Sequence, residues 1–209
     1  MTRKVTVIDY GSGNLHSVIK ALRESGTEVE VTDQPAAVSA ADRLVLPGVG
    51  AFGDGMQGLE NRGLVPAIHQ FIAAGRPFLG ICLGMQMLLS ESEEFGVRPG
   101  LGIIPGRVVA IPARAGFKVP HVGWSEIRPP HGMNWDGCIL ASTPFGVRTY
   151  FVHSFTAVPE REEDRLADTD FGGYRISAAV RRGNVTGCQF HPEKSGVVGL
   201  AMIRRFLQV

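Results

Sequence analysis

The first half of the chain alternates short apolar runs with stretches of helical periodicity. Leu15, Val18, Ile19 and Leu22 recur at the spacing of one helix face, and a second helical face ends before Gly75. Strand-length apolar runs occupy residues 4–9, 28–32, 43–46 and 77–81, and 85–90 is predicted as a helix. Strands that alternate with helices predict parallel β-α-β units with helices on both faces of the sheet.

The pattern changes after Pro99, where strand-length runs separated by Gly and Pro turns replace the helical spacing. These runs cover 108–111, 119–127, 138–141, 148–156, 174–181 and 184–190, and helical spacing returns only at 197–207. We therefore expect a single α/β domain over 1–209. Its mostly parallel central sheet has helices on both faces, in a flavodoxin-like three-layer arrangement, and carries an antiparallel β extension.

Sites in open parallel sheets gather at the carboxyl ends of the strands. That rule points to the loops after Asp9, Leu46 and Ile81. The second of these carries Gly48, Gly50, Gly53 and Gly55 and is predicted to be a glycine-rich loop.

Composition narrows the classes of protein that fit. The 21 basic and 20 acidic side chains leave a net charge of +1, which gives no electrostatic reason to expect nucleic acid or a membrane as partner. No apolar run approaches the ~18 residues of a membrane span, and Asp9 interrupts the apolar start, so we expect a cytoplasmic protein. The three cysteines have neither disulfide-framework nor zinc-site spacing.

The strongest chemical signal is Cys82 between Gly80 and Gly84, at a predicted strand-to-helix junction. This is the pattern of a nucleophile elbow with Cys in place of Ser, in which small neighbours permit a sharp turn. The elbow would raise the thiol to a helix N-terminus, whose partial positive charge favours a thiolate. On these five residues alone, a small cysteine buried in the core is an equal alternative.

A second signal supplies the base that such a thiol needs. His191 and Glu193 flank Pro192 at the end of the last predicted strand, and side chains two apart in an extended segment project to the same side. Glu193 would then orient the imidazole, as the third group of a catalytic triad does. Alone, this pair is more often a surface ion pair, but it provides what the Cys82 elbow lacks.

These stretches resemble a known family. Residues 80–86 (Gly-Ile-Cys-Leu-Gly-Met-Gln) with 191–195 (His-Pro-Glu-Lys-Ser) are similar to the class I, or triad, glutamine amidotransferases. Within that class, stretches 8–15, 47–52, 121–124 and 150–155 resemble the glutaminase subunits of imidazole glycerol phosphate synthase. The resemblance runs from near residue 4 to near residue 207.

The resemblance implies a role for each matching residue. Cys82 would be the nucleophile, His191 the general base and acid, and Glu193 the orienting carboxylate. Oxyanion donors would come from Leu83 and the Val49–Gly50 peptide, although a plain loop is the alternative for the latter. Glutamine would be held by Gln86, His153, Ser154 and Phe155. Candidate interface residues are Asn14, Lys194 and Trp124, each of which could equally be an ordinary surface or core residue.

The resemblance also implies a partner and a reaction. The chain would hydrolyse glutamine without metal or cofactor and pass ammonia, as a heterodimer, to a (βα)8-barrel cyclase of histidine biosynthesis. Val122 and Ser125 depart from the residues usual in that subfamily, which affects interface details. Three alternatives stay open: the glutaminase of another synthase, a non-enzymatic protein with a reactive cysteine, and a peptide-cleaving cysteine hydrolase.

Overall fold

The computed structural model describes residues 4–11, 15–114, 116–141 and 143–209. The helices are α1 Leu15–Glu24, α2 Pro35–Ala40, α3 Phe52–Asn61, α4 Leu64–Ala73, α5 Leu83–Gln86 and α6 Gly196–Phe206. Short 3-10 turns occupy Glu162–Asp164 and Pro192–Lys194. The strands are β1 Lys4–Ile8, β2 Glu28–Thr32, β3 Leu44–Gly48, β4 Phe78–Cys82, β5 Leu89–Ser92, β6 Arg98–Pro99, β7 Ile104–Ala110, β8 His121–Glu126, β9 Arg148–His153, β10 Phe155–Pro159, β11 Arg165–Phe171, β12 Tyr174–Arg182 and β13 Val185–Cys188.

Seven strands form the central sheet in the order β11-β12-β13-β4-β3-β1-β2. The five from β13 to β2 are mutually parallel, and β12 and β11 add antiparallel strands at one edge. A four-stranded sheet, β10-β7-β5-β6, and the pair β8-β9 form the rest. The predicted fold class, a mostly parallel α/β sheet with an antiparallel extension, is confirmed.

Alternation along the strands divides the core into two layers. Leu44 and Leu46 belong to the cluster under α2, α3 and α4, whereas Val45 between them belongs to the cluster under α1 and α6. Helices therefore cover both faces, as a parallel sheet requires. None of the helices in the described ranges is both long and apolar enough to cross a membrane.

The predicted helix over 85–90 is wrong. A single helical turn, α5, follows Cys82, and the chain then enters β5, where Leu89 pairs with Ile104. Met87, Leu88 and Leu89 are all fully buried, so this run has no polar face. A short apolar run of this kind does not distinguish a helix from a strand by its periodicity.

Three further predictions differ from the structure for local reasons. The segment 138–141 is a turn rather than a strand, and the Cys138 thiol donates a hydrogen bond to the Trp135 carbonyl oxygen. The predicted glycine-rich loop is shorter than expected, since Gly48 ends β3 and Gly53 and Gly55 already lie in helix α3. A Cβ on Gly55 would lie 2.8 Å from the Met87 sulfur, so glycine there permits close packing of the helix. The predicted run 148–156 is also divided, at Ser154, into β9 and β10.

Candidate active site

A cavity of about 360 Å³ opens where β3 and β4 end. Its walls contain nearly all the described residues that the sequence singled out: Val49, Gly50, Cys82, Leu83, Gln86, His153, Ser154, Phe155 and His191. Glu94, Pro120 and Val152 complete the lining. The cavity thus lies at the carboxyl edge of the parallel sheet, after two of the three predicted strand ends.

The backbone at Cys82 has the strained geometry of an elbow. Cys82 has φ 54° and ψ −110°, a conformation that costs a residue with a side chain of order 1–3 kcal/mol. The flanking glycines make the turn possible. A Cβ on Gly84 would overlap the Leu46 carbonyl oxygen, and one on Gly80 would lie 2.7 Å from the Gly84 oxygen. Since α5 is one turn long, the helix N-terminus provides less positive charge to a thiolate than a full helix would.

His191 lies beside the thiol and is hydrogen-bonded to Glu193. Its Nδ1 donates to Glu193 Oε1 at 2.7 Å, and both side chains are buried. Burial alone would lower the pKa of His191. The interactions with Cys82 and Glu193 outweigh burial and raise that pKa to about 9. At neutral pH the imidazole is therefore charged, and within the described part of the chain its Nε2 makes no hydrogen bond of good geometry.

Glu193 reaches His191 by a different route from the one predicted. Pro192–Lys194 is a 3-10 turn, so the two side chains do not project from one face of a strand. His191 itself is extended, and the turn that starts at Pro192 folds Glu193 back toward its Nδ1. The predicted proximity holds, whereas the predicted backbone does not, because the strand ends at Cys188.

A second imidazole, His153, faces the same cavity but has both ring nitrogens occupied. Its Nδ1 lies 2.8 Å from the Phe155 carbonyl oxygen, which can only accept, so Nδ1 carries the proton. Its Nε2 must then accept from His121 Nδ1 at 3.0 Å, and His121 Nε2 accepts from the Ser125 hydroxyl at 2.8 Å. His153 has no free nitrogen with which to act as a base.

Burial keeps this second pair neutral. His121 lies between the rings of Phe151 and Phe171, with centroid distances of 4.7 and 4.3 Å. Desolvation lowers the pKa of His121 to about 4 and that of His153 to about 3. Of the two imidazoles that the described residues place in the cavity wall, His191 is the one that can exchange a proton at neutral pH.

Sequence reasoning missed two polar residues of the site. Gln189 is fully buried, and its Nε2 points to the Cys82 sulfur at 3.7 Å. Glu94 lines the cavity, and its Oε2 accepts from the Phe52 amide at 2.7 Å. Neither residue belongs to a motif, because Gln189 directly follows the apolar strand β13 and Glu94 stands in an acidic stretch. The nearness of Gln189 to His191 in the chain was the one available signal.

Gln86 joins the two sides of the cavity. It is buried on α5, and its Nε2 donates to the Phe155 carbonyl and to Gln189 Oε1, both at 3.0 Å. The chain of contacts thus runs from Phe155 through Gln86 and Gln189 to Cys82. Gly50 on the opposite rim has φ 100°, in a region that favours glycine.

The rim of the cavity continues into an exposed apolar surface. Val122 pairs with Val152 across β8 and β9, and Trp124 pairs with Tyr150, its ring 6.0 Å from the tyrosine ring. Val122 and Trp124 are more than half exposed. We call the side formed by Val122, Trp124, Tyr150 and Val152 the outer face of β8–β9. The interface candidate Lys194 is also exposed, and Asn14 lies outside the described residues.

A larger cleft, of about 490 Å³, lies beyond Trp124, and the described residues that line it include none of these reactive groups. Its three arginines are paired with carboxylates: Arg128 and Arg148 with Glu126, and Arg175 with Asp168. This cleft is a network of surface ion pairs. The smaller cavity, with its thiol and charged imidazole, is therefore the candidate active site.

Comparisons with known proteins agree with this geometry. The family model described as "Glutamine amidotransferase class-I" matches residues 6–209. The chain is 50% identical to imidazole glycerol phosphate synthase subunit HisH 1 of Legionella pneumophila, over 98% of this chain and 99% of that protein. It is 47% identical to subunit HisH of Moorella thermoacetica, over 98% and 94% of the two chains.

Solved structures show the same fold at low sequence identity. A crystal structure of a glutamine amidotransferase matches with a TM-score of 0.73 at 19% identity, covering 98% of this chain and 97% of that one. PurLQS from Thermotoga maritima matches with a TM-score of 0.71 at 20% identity, covering 100% and 97%. These structural likenesses concern the fold alone.

Proposed function

This chain belongs to the class I glutamine amidotransferases and, within them, to the HisH subunits of imidazole glycerol phosphate synthase, and from that premise we propose that it hydrolyses glutamine and supplies the ammonia to a synthase partner. The observation that carries the proposal is the buried cluster of Cys82, His191 and Glu193, with the imidazole bonded to the carboxylate at 2.7 Å. The known relatives fit a role in histidine biosynthesis.

In the first half of the reaction, the Cys82 sulfur attacks the side-chain carbonyl carbon of glutamine. The S–C bond forms, and the C–N bond breaks as the nitrogen takes a proton from His191 Nε2 and leaves as ammonia. The raised pKa of His191 favours this step, because the imidazole holds a proton at neutral pH. Glu193 keeps Nδ1 occupied, so Nε2 is the nitrogen that faces the reaction.

In the second half, water attacks the glutamyl thioester. His191 Nε2 takes one proton from the water, the new C–O bond forms, and the S–C bond breaks with its electron pair going to the sulfur. The second proton of the water leaves the new γ-carboxyl group to solvent, so glutamate is released, and Cys82 and the protonated His191 return to their starting state. Both halves pass through a tetrahedral oxyanion. We assign its two donors to the Leu83 amide, which directly follows the nucleophile, and to the Val49–Gly50 peptide across the cavity.

The two ends of the amino acid would bind away from the sulfur. Among the described lining residues, Glu94 provides a carboxylate, and we assign it to the α-ammonium group. Gln86 and the turn at His153, Ser154 and Phe155 form the rest of that pocket. Because the His153 ring is committed to Phe155 and His121, we assign the substrate contact to the backbone of this turn.

We further propose that the partner is a (βα)8-barrel cyclase, which docks on the outer face of β8–β9 and receives ammonia directly. This face is apolar, exposed and continuous with the cavity through Val152, as the centre of an interface should be. Glu126 and Arg148 border it and would form a polar rim. Lys194 and Asn14 remain candidates for the same interface.

The test is glutamate release from glutamine by the chain alone, with the cyclase, and with cyclase plus its nucleotide substrate. We expect activity in the complex, none with Cys82→Ala, and undiminished product from Cys82→Ala when ammonium salt replaces glutamine. Glutamate release by Cys82→Ala at the wild-type rate would refute the assignment of the nucleophile. Docking is tested with Trp124→Ala, which should weaken cyclase binding by at least about tenfold, as loss of an aromatic interface centre does.

A further inference from the structure

The hydroxyl of Ser195 stands at a helix start but does not cap the helix. Ser195 is the N-cap residue of α6, and in the described chain its side chain makes no capping bond. A serine at this position ordinarily accepts a hydrogen bond from an amide of the first turn, which contributes ~1 kcal/mol to the helix. Ser195 is only 2% exposed, so its hydroxyl must find partners within the protein.

Those partners are the backbones of the proposed catalytic histidine and of strand β9. Ser195 Oγ donates to the His191 carbonyl at 2.7 Å and accepts from the Tyr150 amide at 3.0 Å. The His191 amide in turn donates to the Tyr150 carbonyl at 2.9 Å. The three bonds form a closed ring that holds both polar groups of the His191 backbone against a single residue of β9.

The ring differs from the other bonds of the same turn. The Lys194 amide also donates to the His191 carbonyl, and the Ser195 amide donates to Pro192, but these bonds connect the turn only to itself. The hydroxyl connects the turn to β9, which also brings the Val152 carbonyl within 4.0 Å of the Cys82 sulfur. Strand β9 thus contacts both the proposed nucleophile and the turn that carries the imidazole.

We propose that Ser195 is a positioning residue that fixes His191 relative to Cys82 by tying the His191 backbone to Tyr150 of β9. This inference rests on the glutaminase function proposed above. Without the hydroxyl, the His191 carbonyl keeps the Lys194 amide, whereas the Tyr150 amide loses its acceptor. A displacement of about 1 Å in catalytic geometry can slow a reaction ~10²-fold. We therefore expect Ser195→Ala to lower kcat for glutamine by about 10- to 100-fold and to change KM by less than about threefold.

The matched control is Ser177→Ala. Ser177 is fully buried, and its hydroxyl donates to the Ala157 carbonyl at 2.8 Å, away from His191. Both variants lose one buried hydroxyl, so their melting temperatures and cyclase affinities should be similar, while only Ser195→Ala should lose kcat. Ser195→Cys should restore part of the rate, because a thiol is a weak donor and acceptor. Threonine is unsuitable, since the Cβ of Ser195 already packs closely against Gly199.

A second substrate separates positioning from a general disturbance of the pocket. The 4-nitrophenyl γ-ester of glutamate releases nitrophenolate, which leaves without a proton from His191. We expect Ser195→Ala to slow the nitrophenolate burst much less than it slows ammonia release from glutamine. Equal slowing of both, or a glutamine kcat no lower than that of Ser177→Ala, would overturn the role of Ser195. A wild-type complex that releases no glutamate would instead overturn the proposed function.

Discussion

The candidate active-site cavity has two walls that are built in different ways. Val49, Gly50, Cys82 and Leu83 form the elbow wall, where two strand ends and their glycines set the backbone. Val152, His153, Ser154, Phe155 and His191 form the histidine wall, where hydrogen bonds join residues far apart in sequence. The elbow wall is determined by steric limits at its glycines, and the histidine wall by hydrogen bonds to distant partners.

The histidine wall also shows how neighbouring groups determine whether a buried histidine is charged. His191 and His153 face the same cavity and are both buried. His191 has Cys82 and Glu193 beside it, and its pKa is raised to about 9, whereas His153 meets a carbonyl and another imidazole, and its pKa falls to about 3. Burial lowers the pKa in both, so the difference between the two rings follows from the groups that lie beside them.

The largest change should come from the elbow wall, with Gly50→Pro. Gly50 has φ 100°, which proline cannot adopt, and proline has no amide hydrogen to donate. Loss of an oxyanion donor slows chemistry by ~10²–10³-fold, and we expect that loss in kcat of the complex. The control is Gly53→Ala, because a Cβ there meets only Arg98 Cγ, at 3.9 Å. A wild-type kcat in Gly50→Pro would exclude this peptide as a donor.

Partner dependence is expected from the same peptide. Glycine permits more than one orientation of the Val49–Gly50 amide, so we expect the isolated chain to be nearly inactive and the cyclase with bound nucleotide to select the productive one. Steady-state kinetics under the three conditions given above measure this effect. Equal kcat in all three would refute the switch and leave the assignment of Cys82, His191 and Glu193 intact.

The histidine wall should govern the pH dependence. In the proposed mechanism His191 must hold a proton to release ammonia, so we expect kcat/KM to fall about tenfold per pH unit once the pH rises above about 9. Glu193→Gln removes a neighbour that raises this pKa, and the decline should then begin at lower pH. The measurement is a kcat/KM profile from about pH 6 to about pH 10.5 for both proteins. A decline at the same pH in both would show that Glu193 does not set the charge of His191.

Gln86→Ala tests the residue that joins the two walls. Its amide bonds the Phe155 carbonyl and Gln189 at 3.0 Å, so its loss should loosen the turn that we assign to the substrate. Loss of one hydrogen bond worth ~1.5 kcal/mol to substrate binding raises KM about tenfold, and we expect an increase of that size for Gln86→Ala. Gln57→Ala, on the exposed side of α3, is the control and should keep the wild-type KM. An unchanged KM in Gln86→Ala would show that Gln86 does not contribute to the binding of glutamine.

The last expected effect is on acid stability rather than on catalysis. His121 and His153 stay neutral in the folded chain down to pH about 4 and 3, whereas the unfolded chain protonates them near their ordinary value of 6.5. The unfolded state therefore binds more protons below pH 6.5, and the unfolding free energy decreases as the pH falls, by up to ~1.4 kcal/mol per unit for each histidine. His121→Gln should lose less stability than the wild type between about pH 7 and about pH 5 in urea titrations. An identical loss would contradict the neutral pair.

The same contrast explains what could be predicted from the sequence. The elbow was predictable because Gly80, Cys82 and Gly84 lie within five residues and obey a steric rule that sequence displays directly. The parallel sheet was predictable from the apolar runs. The partners of His153 and Ser195 were not, because a hydrogen bond between β8 and β9, or between α6 and β9, depends on tertiary packing that periodicity does not contain. The 85–90 run failed for the related reason that full burial removes periodicity.

The exposed outer face of β8–β9 has a consequence for how the chain is produced. Val122 and Trp124 are 56% and 52% exposed, beside Val152 and Tyr150 on two short strands. A contiguous apolar patch of this kind promotes self-association when nothing covers it. Chains synthesised in excess of their partner would therefore tend to aggregate, and balanced expression of the two subunits would protect the cell against misassembly.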